Sequence, residues 1–185
     1  ISNPPFTPHI GLFFNIKSQN QAKQLSEQKA IMNSIADYFL NINPGILTIS
    51  FQPKWIDMQA FIWKNFKVIP NYTYQTDLSL SNEEFLQLCS PEKRNEIKKA
   101  VKDQITVTPE KDYSIVKQLV LKTYGRQNVN NDINLLDRIL FEFATPENSF
   151  ALVARDNNKT VSCSFCIYDD NTAYYLLGGY DEDLK

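Results

Sequence analysis

The spacing of apolar residues predicts that the first part of the chain alternates between helices and strands. Across residues 19–40 apolar side chains recur every three or four positions, as they do on one face of an amphipathic helix. Residues 43–45, Asn-Pro-Gly, end that helix, and residues 46–51 are typical of a buried strand. Residues 54–66 again have helical spacing, whereas residues 67–78 alternate apolar and polar positions, as a half-buried strand does.

The second part of the chain is predicted to begin at residue 79 with helices and to finish as an antiparallel meander. A capping box starts a helix at Ser81, and Ser90 followed by Pro91 starts the next. A short strand near residues 105–107 precedes a helix over 112–128 with Gly125 as its end, and Asp132 caps a helix over 133–144. Three strands follow, at 150–155, 161–168 and 173–178. The expected fold class is α/β of the α+β kind, with a boundary between residues 78 and 79.

Composition narrows the class of protein without naming a function. The 185 residues, with 43% hydrophobic and 22% charged side chains, are enough for one domain or two small ones. A net charge of −2 argues against a wholly basic nucleic-acid binder. The sequence lacks a continuous apolar run long enough to span a membrane, and its three cysteines do not make a disulfide framework. We therefore expect a cytoplasmic protein.

The cysteines and the single histidine are weak candidates for chemistry. Cys163 and Cys166 match C-x-x-C, but residues three apart on a strand point to opposite faces, so their sulfurs would not converge on one metal. His9 has no partner serine or cysteine in a recognisable motif. The sequence contains no glycine-rich phosphate-binding motif. No metal site is expected.

Three other segments carry candidate binding groups. Cations crowd the predicted helix that starts at Ser90, and there Lys93 and Arg94 are suited either to contact an anionic ligand or simply to face solvent. Tyr124–Gln127 places an aromatic ring, a glycine and Arg126 at one helix end, where a plain helix cap is the alternative. Residues 172–179, TAYYLLGG, predict an apolar strand that ends in two glycines. Glycines at such a position let a ligand approach the backbone closely. The alternative is that they form a simple turn.

Several local strings, in their order along the chain, resemble one family. They are PPFTPHIG at residues 4–11, the segment from Trp63 to Leu78, RNEIKKA at 94–100, Tyr124–Gln127 and TAYYLLGG. Together they are similar to the FemAB-type members of the GNAT acyltransferase superfamily, close to the peptidoglycan-bridge aminoacyltransferases. The resemblance covers nearly the whole chain, although no single string is diagnostic.

The resemblance implies two GNAT-like lobes in tandem, each a mixed twisted sheet flanked by helices and each incomplete here. Residues 1–78 would be the back part of the first lobe and residues 79–185 the front part of the second. The expected activity is transfer of an acyl or aminoacyl group from acyl-CoA (acetyl-CoA) or aminoacyl-tRNA to an amine, such as a cell-wall precursor. Leu177 and Gly178 would lie near the acyl group, Tyr124, Arg126 and Tyr175 would line the acceptor cleft, and Lys93 and Arg94 would contact an anionic part of the acceptor.

Two departures from the family pattern keep other hypotheses open. The loop and helix that would hold the donor's pyrophosphate are expected beyond Lys185, and residues 90–104 leave no room for the coiled-coil arm of relatives that dock tRNA. The acidic balance also gives a tRNA partner little support. A catalytically inactive binding module for an anionic glycan, lipid or nucleotide-sugar is the alternative, and an interaction scaffold is a third. Open sheet edges would favour a homodimer.

Overall fold

The computed structural model describes residues 1–128 and 132–182. The chain forms two compact units, Ile1–Leu78 and Ser79–Lys185. The described residues contain both α-helices and one four-stranded antiparallel sheet, so the predicted α+β class is confirmed. That these units correspond to the lobes of a GNAT-like tandem stays a prediction. Among the described residues, no helix combines the length and the apolar character needed to cross a membrane.

The first unit is built around one long helix, α1 (Gln21–Ile42). The Asn20 side chain accepts a hydrogen bond from the Lys23 N–H, and Asn43 ends the helix with a left-handed φ of 47°. The helix α2 (Gln59–Ile62) packs against α1, so that Met32 and Ala36 from α1 share a small core with Ala60 and Phe61. Aromatic side chains surround this core, and the Phe61 ring lies 5.4 Å from that of Phe51 and 5.5 Å from that of Phe66.

The other elements predicted for the first unit are wrong or much shorter. Residues 46–51 form only isolated parallel bridges, Ser2 with Thr48 and Ile10 with Phe51, instead of a strand. Within residues 54–66 only α2 is α-helical. Residues 67–77 form neither helix nor strand, and their side chains are exposed. Alternation alone does not form a strand, because a strand also needs a partner for its backbone groups.

The second unit opens with two capped helices, α3 (Asn82–Leu88) and α4 (Pro91–Lys102). The Ser81 hydroxyl accepts from the Glu84 N–H while the Glu84 carboxylate accepts from the Ser81 N–H, so the predicted capping box is confirmed. Ser90 caps α4 through the Lys93 N–H, with Pro91 at the first helical position, as predicted. Neither helix contributes a fully buried residue.

The sheet contains β1 (Thr106–Glu110), β2 (Ser149–Asp156), β3 (Lys159–Tyr168) and β4 (Ala173–Tyr180) in the spatial order β1-β2-β3-β4. All three pairings are antiparallel, so the mixed strand directions implied by the resemblance do not occur in this sheet. The predicted meander of three strands is present. Bulges interrupt the β2–β3 register at Ala154/Arg155 and the β3–β4 register at Phe165/Cys166.

One face of the sheet is covered by α5 (Tyr113–Arg126), which contacts β4 most extensively. Val116 and Val120 of α5 and Val153, Phe165 and Leu177 of the sheet are fully buried between them. Gly125 lies inside α5, and Gln127 is the C-cap, so the predicted stop at Gly125 is wrong. Asp132 caps α6 (Ile133–Asp137) as predicted, and the helix continues as a π-helix over Arg138–Phe143.

Candidate functional site

The fold places β4 at an edge of the sheet, next to the C-terminal end of α5. Asp181 N–H donates to the Val161 carbonyl, whereas Tyr180 N–H donates away from β3, to Thr123 Oγ1 on α5 at 3.1 Å. Backbone groups on an antiparallel strand alternate in direction, so the Gly178 N–H and C=O point to the same free edge as those of Tyr180. Among residues 132–182 no further strand pairs with that edge.

The glycine pair lies within β4 and does not form an exit from it, which corrects the sequence-based expectation. Gly178 pairs with Ser164 and Gly179 with Cys163. A Cβ on Gly179 would lie 2.4 Å from the Leu119 carbonyl carbon, so this glycine lets the α5 backbone approach the sheet. A Cβ on Gly178 would lie 1.6 Å from the Tyr175 hydroxyl, so the Tyr175 side chain occupies the space beside Gly178.

Side chains at the end of α5 fasten it to the end of β4. The buried Thr123 hydroxyl donates to the Leu119 carbonyl at 3.1 Å and accepts from the Tyr180 N–H. The Arg126 guanidinium donates to the Tyr180 carbonyl at 3.0 Å and lies over the Tyr180 ring, 4.0 Å from its centroid. Lys122 forms an ion pair with Asp181 at 2.5 Å. This latch, formed by Lys122, Thr123 and Arg126, fixes the end of the strand that carries Gly178.

Two of the predicted acceptor-site residues, Tyr124 and Tyr175, have a raised pKa, and the Tyr175 phenol is one of the causes for Tyr124. Tyr124 is half-buried on α5, and its pKa is raised above the ordinary value. Burial is the larger cause, and the Tyr175 phenol is the smaller one. Burial also raises the pKa of Tyr175, with Cys163 and Cys166 adding to the effect. Both phenols therefore remain protonated at neutral pH, where each can donate a hydrogen bond.

The other predicted residues of β4 and α5 have defined structural contacts. The Leu177 side chain is buried in the core on the α5 side of the sheet, and its residue pairs with Phe165 of β3. Opposite Phe165/Cys166 the register skips Leu176, which leaves this residue without a cross-strand partner in β3. Arg126 is engaged in the latch, where its guanidinium also lies 3.7 Å from the Glu182 carboxylate.

Lys93 and Arg94 lie on α4, which makes no extensive contact with β4 in the described part of the chain. The Lys93 ammonium is exposed and pairs with Glu96 at 2.5 Å, which raises its pKa. Arg94 donates to the Cys89 carbonyl at 2.6 Å and the Gln87 carbonyl at 3.3 Å, and so it caps the C-terminal end of α3. Both side chains therefore already have local partners, and their role in binding an acceptor stays a prediction.

Cys163 and Cys166 lie on opposite faces of β3. Cys163 faces α5, where its thiol lies 3.9 Å from the Val116 carbonyl, and burial raises its pKa to about 11. Cys166 is half-buried on the other face, opposite Tyr175. Within the described part of the chain no three metal-ligating side chains come together.

Sequence reasoning missed Thr123, Lys122 and the packing role of Gly179. Helical periodicity places Thr123 on the buried side of α5. Nothing in the local sequence indicates that its hydroxyl accepts a hydrogen bond from the Tyr180 N–H of β4. A glycine inside a strand can indicate that another backbone packs closely against it, so the sequence did contain a hint of the role of Gly179. Because Gly179 is the last residue of the apolar segment, it was interpreted instead as the end of the strand. No protein-family model matches the sequence, and no curated protein is significantly similar to it.

Proposed function

We propose that the protein is an N-acyltransferase, in which the free edge of β4 holds the acyl carbonyl while an amine attacks it. The supporting observation is the edge itself, where the Gly178 N–H points away from β3 beside a register irregularity at Leu176. A fixed backbone donor can stabilise the negative charge that develops on the carbonyl oxygen during attack. A neutral amine forms the new C–N bond while the thioester bond of acyl-CoA, or the ester bond of aminoacyl-tRNA, breaks. The CoA thiol or the tRNA hydroxyl leaves and takes up the proton that the amine loses. Correct orientation of the bound amine lowers the barrier further.

The neighbouring tyrosines support an acceptor site at the same edge. Tyr175 covers Gly178, and Tyr124 lies close enough for its pKa to respond to Tyr175. Tyr175 is 69% exposed, so its ring can turn away from Gly178 without disrupting the core. As neutral phenols, both side chains can orient a polar acceptor.

The donor and acceptor are proposed from the resemblance. An acyl-CoA donor is favoured over aminoacyl-tRNA, because the chain has a net charge of −2 and its cations on α4 are partly paired with acidic neighbours. The acceptor would be an amine, with a cell-wall precursor as the leading candidate.

Transfer assays on two variants at Gly178 test the proposal. Labelled acetyl-CoA and aminoacyl-tRNA are incubated with the protein and a panel of amine acceptors, including cell-wall precursors, and the acylated product is measured. Gly178→Pro removes the edge N–H, which an edge strand tolerates, and Gly178→Ala keeps the N–H while adding the same Cβ. We expect transfer by the native protein and a partial loss in the alanine variant, because its Cβ displaces Tyr175. The proline variant should lose roughly 100-fold or more relative to the alanine variant.

Two results would overturn the proposal. One is the absence of transfer from either donor to any acceptor. The other is equal activity of the proline and alanine variants, which would show that the Gly178 N–H takes no part in the reaction.

A further inference from the structure

The helix α4 concentrates positive charge in an otherwise acidic unit. Pro91–Lys102 contains five cations and two carboxylates, whereas the rest of residues 79–185 contains eight cations and fifteen carboxylates. In the part of the chain that the structure describes, Lys98, Lys99 and Lys102 form no ion pair or hydrogen bond with another residue. The protein itself therefore leaves much of the positive charge of α4 to be neutralised by an external anion.

The charges of α4 are segregated around the helix axis. Residues four apart form a row along a helix, and two adjacent rows of α4 hold most of its cations together with its large apolar residues. These rows are Arg94–Lys98–Lys102 and Lys93–Ile97–Val101. Because a helix turns about 100° per residue, the two carboxylates, Glu92 and Glu96, lie on the opposite side of the helix from these rows. One side of α4 is therefore cationic and apolar, and the other side is acidic.

The apolar residues on the cationic side are not covered by the protein. Val101 is 72% exposed, and Ile97 is 37% exposed. Leu88, at the end of α3, is 74% exposed, and it lies between the two residues whose carbonyls accept hydrogen bonds from Arg94. We call the side formed by Ile97, Lys98, Val101 and Lys102 the α4 face.

An anionic lipid surface matches both properties of the α4 face. Lysines next to anionic headgroups strengthen binding roughly fivefold each, and aliphatic side chains leave water when they enter the boundary with the acyl chains. The flexible lysine side chains can reach the headgroups while Val101 points deeper. A nucleic acid would also attract the lysines, but its phosphates give Ile97 and Val101 no apolar contact, and α4 has no aromatic ring on which a base could stack.

We propose that the α4 face binds the surface of a bilayer that contains anionic lipids. The helix lies parallel to the surface, with Ile97 and Val101 inserted at the boundary and Lys98 and Lys102 at the headgroups. In this orientation the carboxylates of α4 point away from the lipid, which avoids repulsion between like charges. The interaction does not involve Gly178 and does not depend on the proposed acyl transfer.

Sedimentation of the full chain with lipid vesicles tests the proposal. One set of vesicles is phosphatidylcholine alone, and the other contains about one third phosphatidylglycerol. We expect the protein to bind the anionic vesicles roughly tenfold or more tightly than the neutral ones. Raising the salt concentration from about 0.05 M to about 0.5 M should release most of the bound protein, because salt screens the attraction between lysines and headgroups.

Three single variants at exposed positions of α4 test the orientation of the helix. Lys98→Gln should weaken binding to the anionic vesicles about fivefold, whereas Lys99→Gln should weaken it less than about twofold. The two changes remove the same charge from the same helix, but Lys99 lies on the side of the carboxylates. Val101→Thr keeps the branched shape and adds a hydroxyl, and it should weaken binding about threefold.

Three results would overturn the proposal. The first is that the native protein binds neither set of vesicles, or binds both equally. The second is an equal loss of binding in Lys98→Gln and Lys99→Gln, which would mean that α4 has no preferred side toward the lipid. The third is binding to polyuridylate that is as tight as binding to the anionic vesicles and unchanged by Val101→Thr, which would assign the α4 face to a nucleic acid instead.

Discussion

Gly178 and Gly179 are adjacent in β4 but meet different surroundings. The space beside Gly179 is filled by the backbone of α5, which cannot move without separating the helix from the sheet. The space beside Gly178 is filled by the end of the Tyr175 side chain, which can rotate away. The pair therefore combines a packing requirement with a position beside which a ligand can replace a side chain.

Alanine substitutions should separate these two roles. We expect Gly179→Ala to lower the free energy of unfolding by about 2–4 kcal/mol, because its Cβ overlaps the helix backbone. Gly178→Ala should change it by less than about 1 kcal/mol, since only the Tyr175 ring must shift. Urea unfolding followed by circular dichroism measures both values, and equal destabilisation by the two variants would contradict the assignment of Gly179 to helix packing.

At the scale of elements, Glu110 joins the end of β1 to β2 and to the start of α5. One carboxylate oxygen accepts from the Lys111 and Asp112 N–H groups, each at 2.9 Å. The other oxygen accepts from Arg155 of β2 at 2.5 Å. The hydrogen bond from the Asp112 backbone is the main cause that lowers the pKa of Glu110 below its ordinary value of 4.5, and Arg155 lowers it further.

Replacing Glu110 by glutamine should destabilise the second unit in a pH-dependent way. A carboxyl whose pKa is lower in the folded state stabilises the fold above its unfolded pKa, and that stabilisation is lost as the pH falls through the folded pKa. We expect Glu110→Gln to cost about 1–2 kcal/mol at pH 7. The difference from the native protein should narrow as the pH falls below about 4.5.

Urea unfolding at several pH values between 7 and 3 provides the measurement. Glu147→Gln, at an exposed position, is the matched control and should leave stability nearly unchanged at each pH. A gap between Glu110→Gln and the native protein that stays constant down to pH 3 would show that ionisation of Glu110 does not stabilise the junction.

The elements that could be predicted best from the sequence are those whose determinants are local. These are helices with a capping residue at their start and strands that pair with the next strand along the chain. The caps at Ser81, Ser90 and Asp132 act within one helical turn, and all three were predicted correctly. The meander was predictable because its short turns bring consecutive strands together. Residues 67–77 show the limit, since a strand depends on a partner that local alternation does not reveal.

For the candidate site, Tyr124 and Tyr175 could be named from the sequence. The hydrogen bond between Thr123 and Tyr180 could not, because it depends on tertiary packing between residues that lie 57 positions apart in the chain.

At the scale of the whole molecule, the two units differ in how much of their backbone is ordered by regular pairing. The second unit has a four-stranded sheet covered by α5, whereas the first contains two helices, two isolated bridges and a small aromatic core. Residues 67–77 precede the division between the units at Leu78 and Ser79. Both tyrosines in this segment, Tyr72 and Tyr74, have fully exposed side chains.

Brief chymotrypsin treatment of the native protein should therefore cut early after Tyr72 or Tyr74, and also after Phe13, which is 82% exposed and likewise lies outside helices and strands. A protease must bind several residues in an extended form, and a segment outside helices and strands can adopt that form without local unfolding. Tyr38 and Tyr175 are internal controls, because they are 62% and 69% exposed but lie within α1 and β4. Mass spectrometry of the earliest fragments identifies the sites. First cuts after Tyr38 or Tyr175 would show that side-chain exposure, and not the backbone order of α1 and β4, determines where the native chain is cleaved.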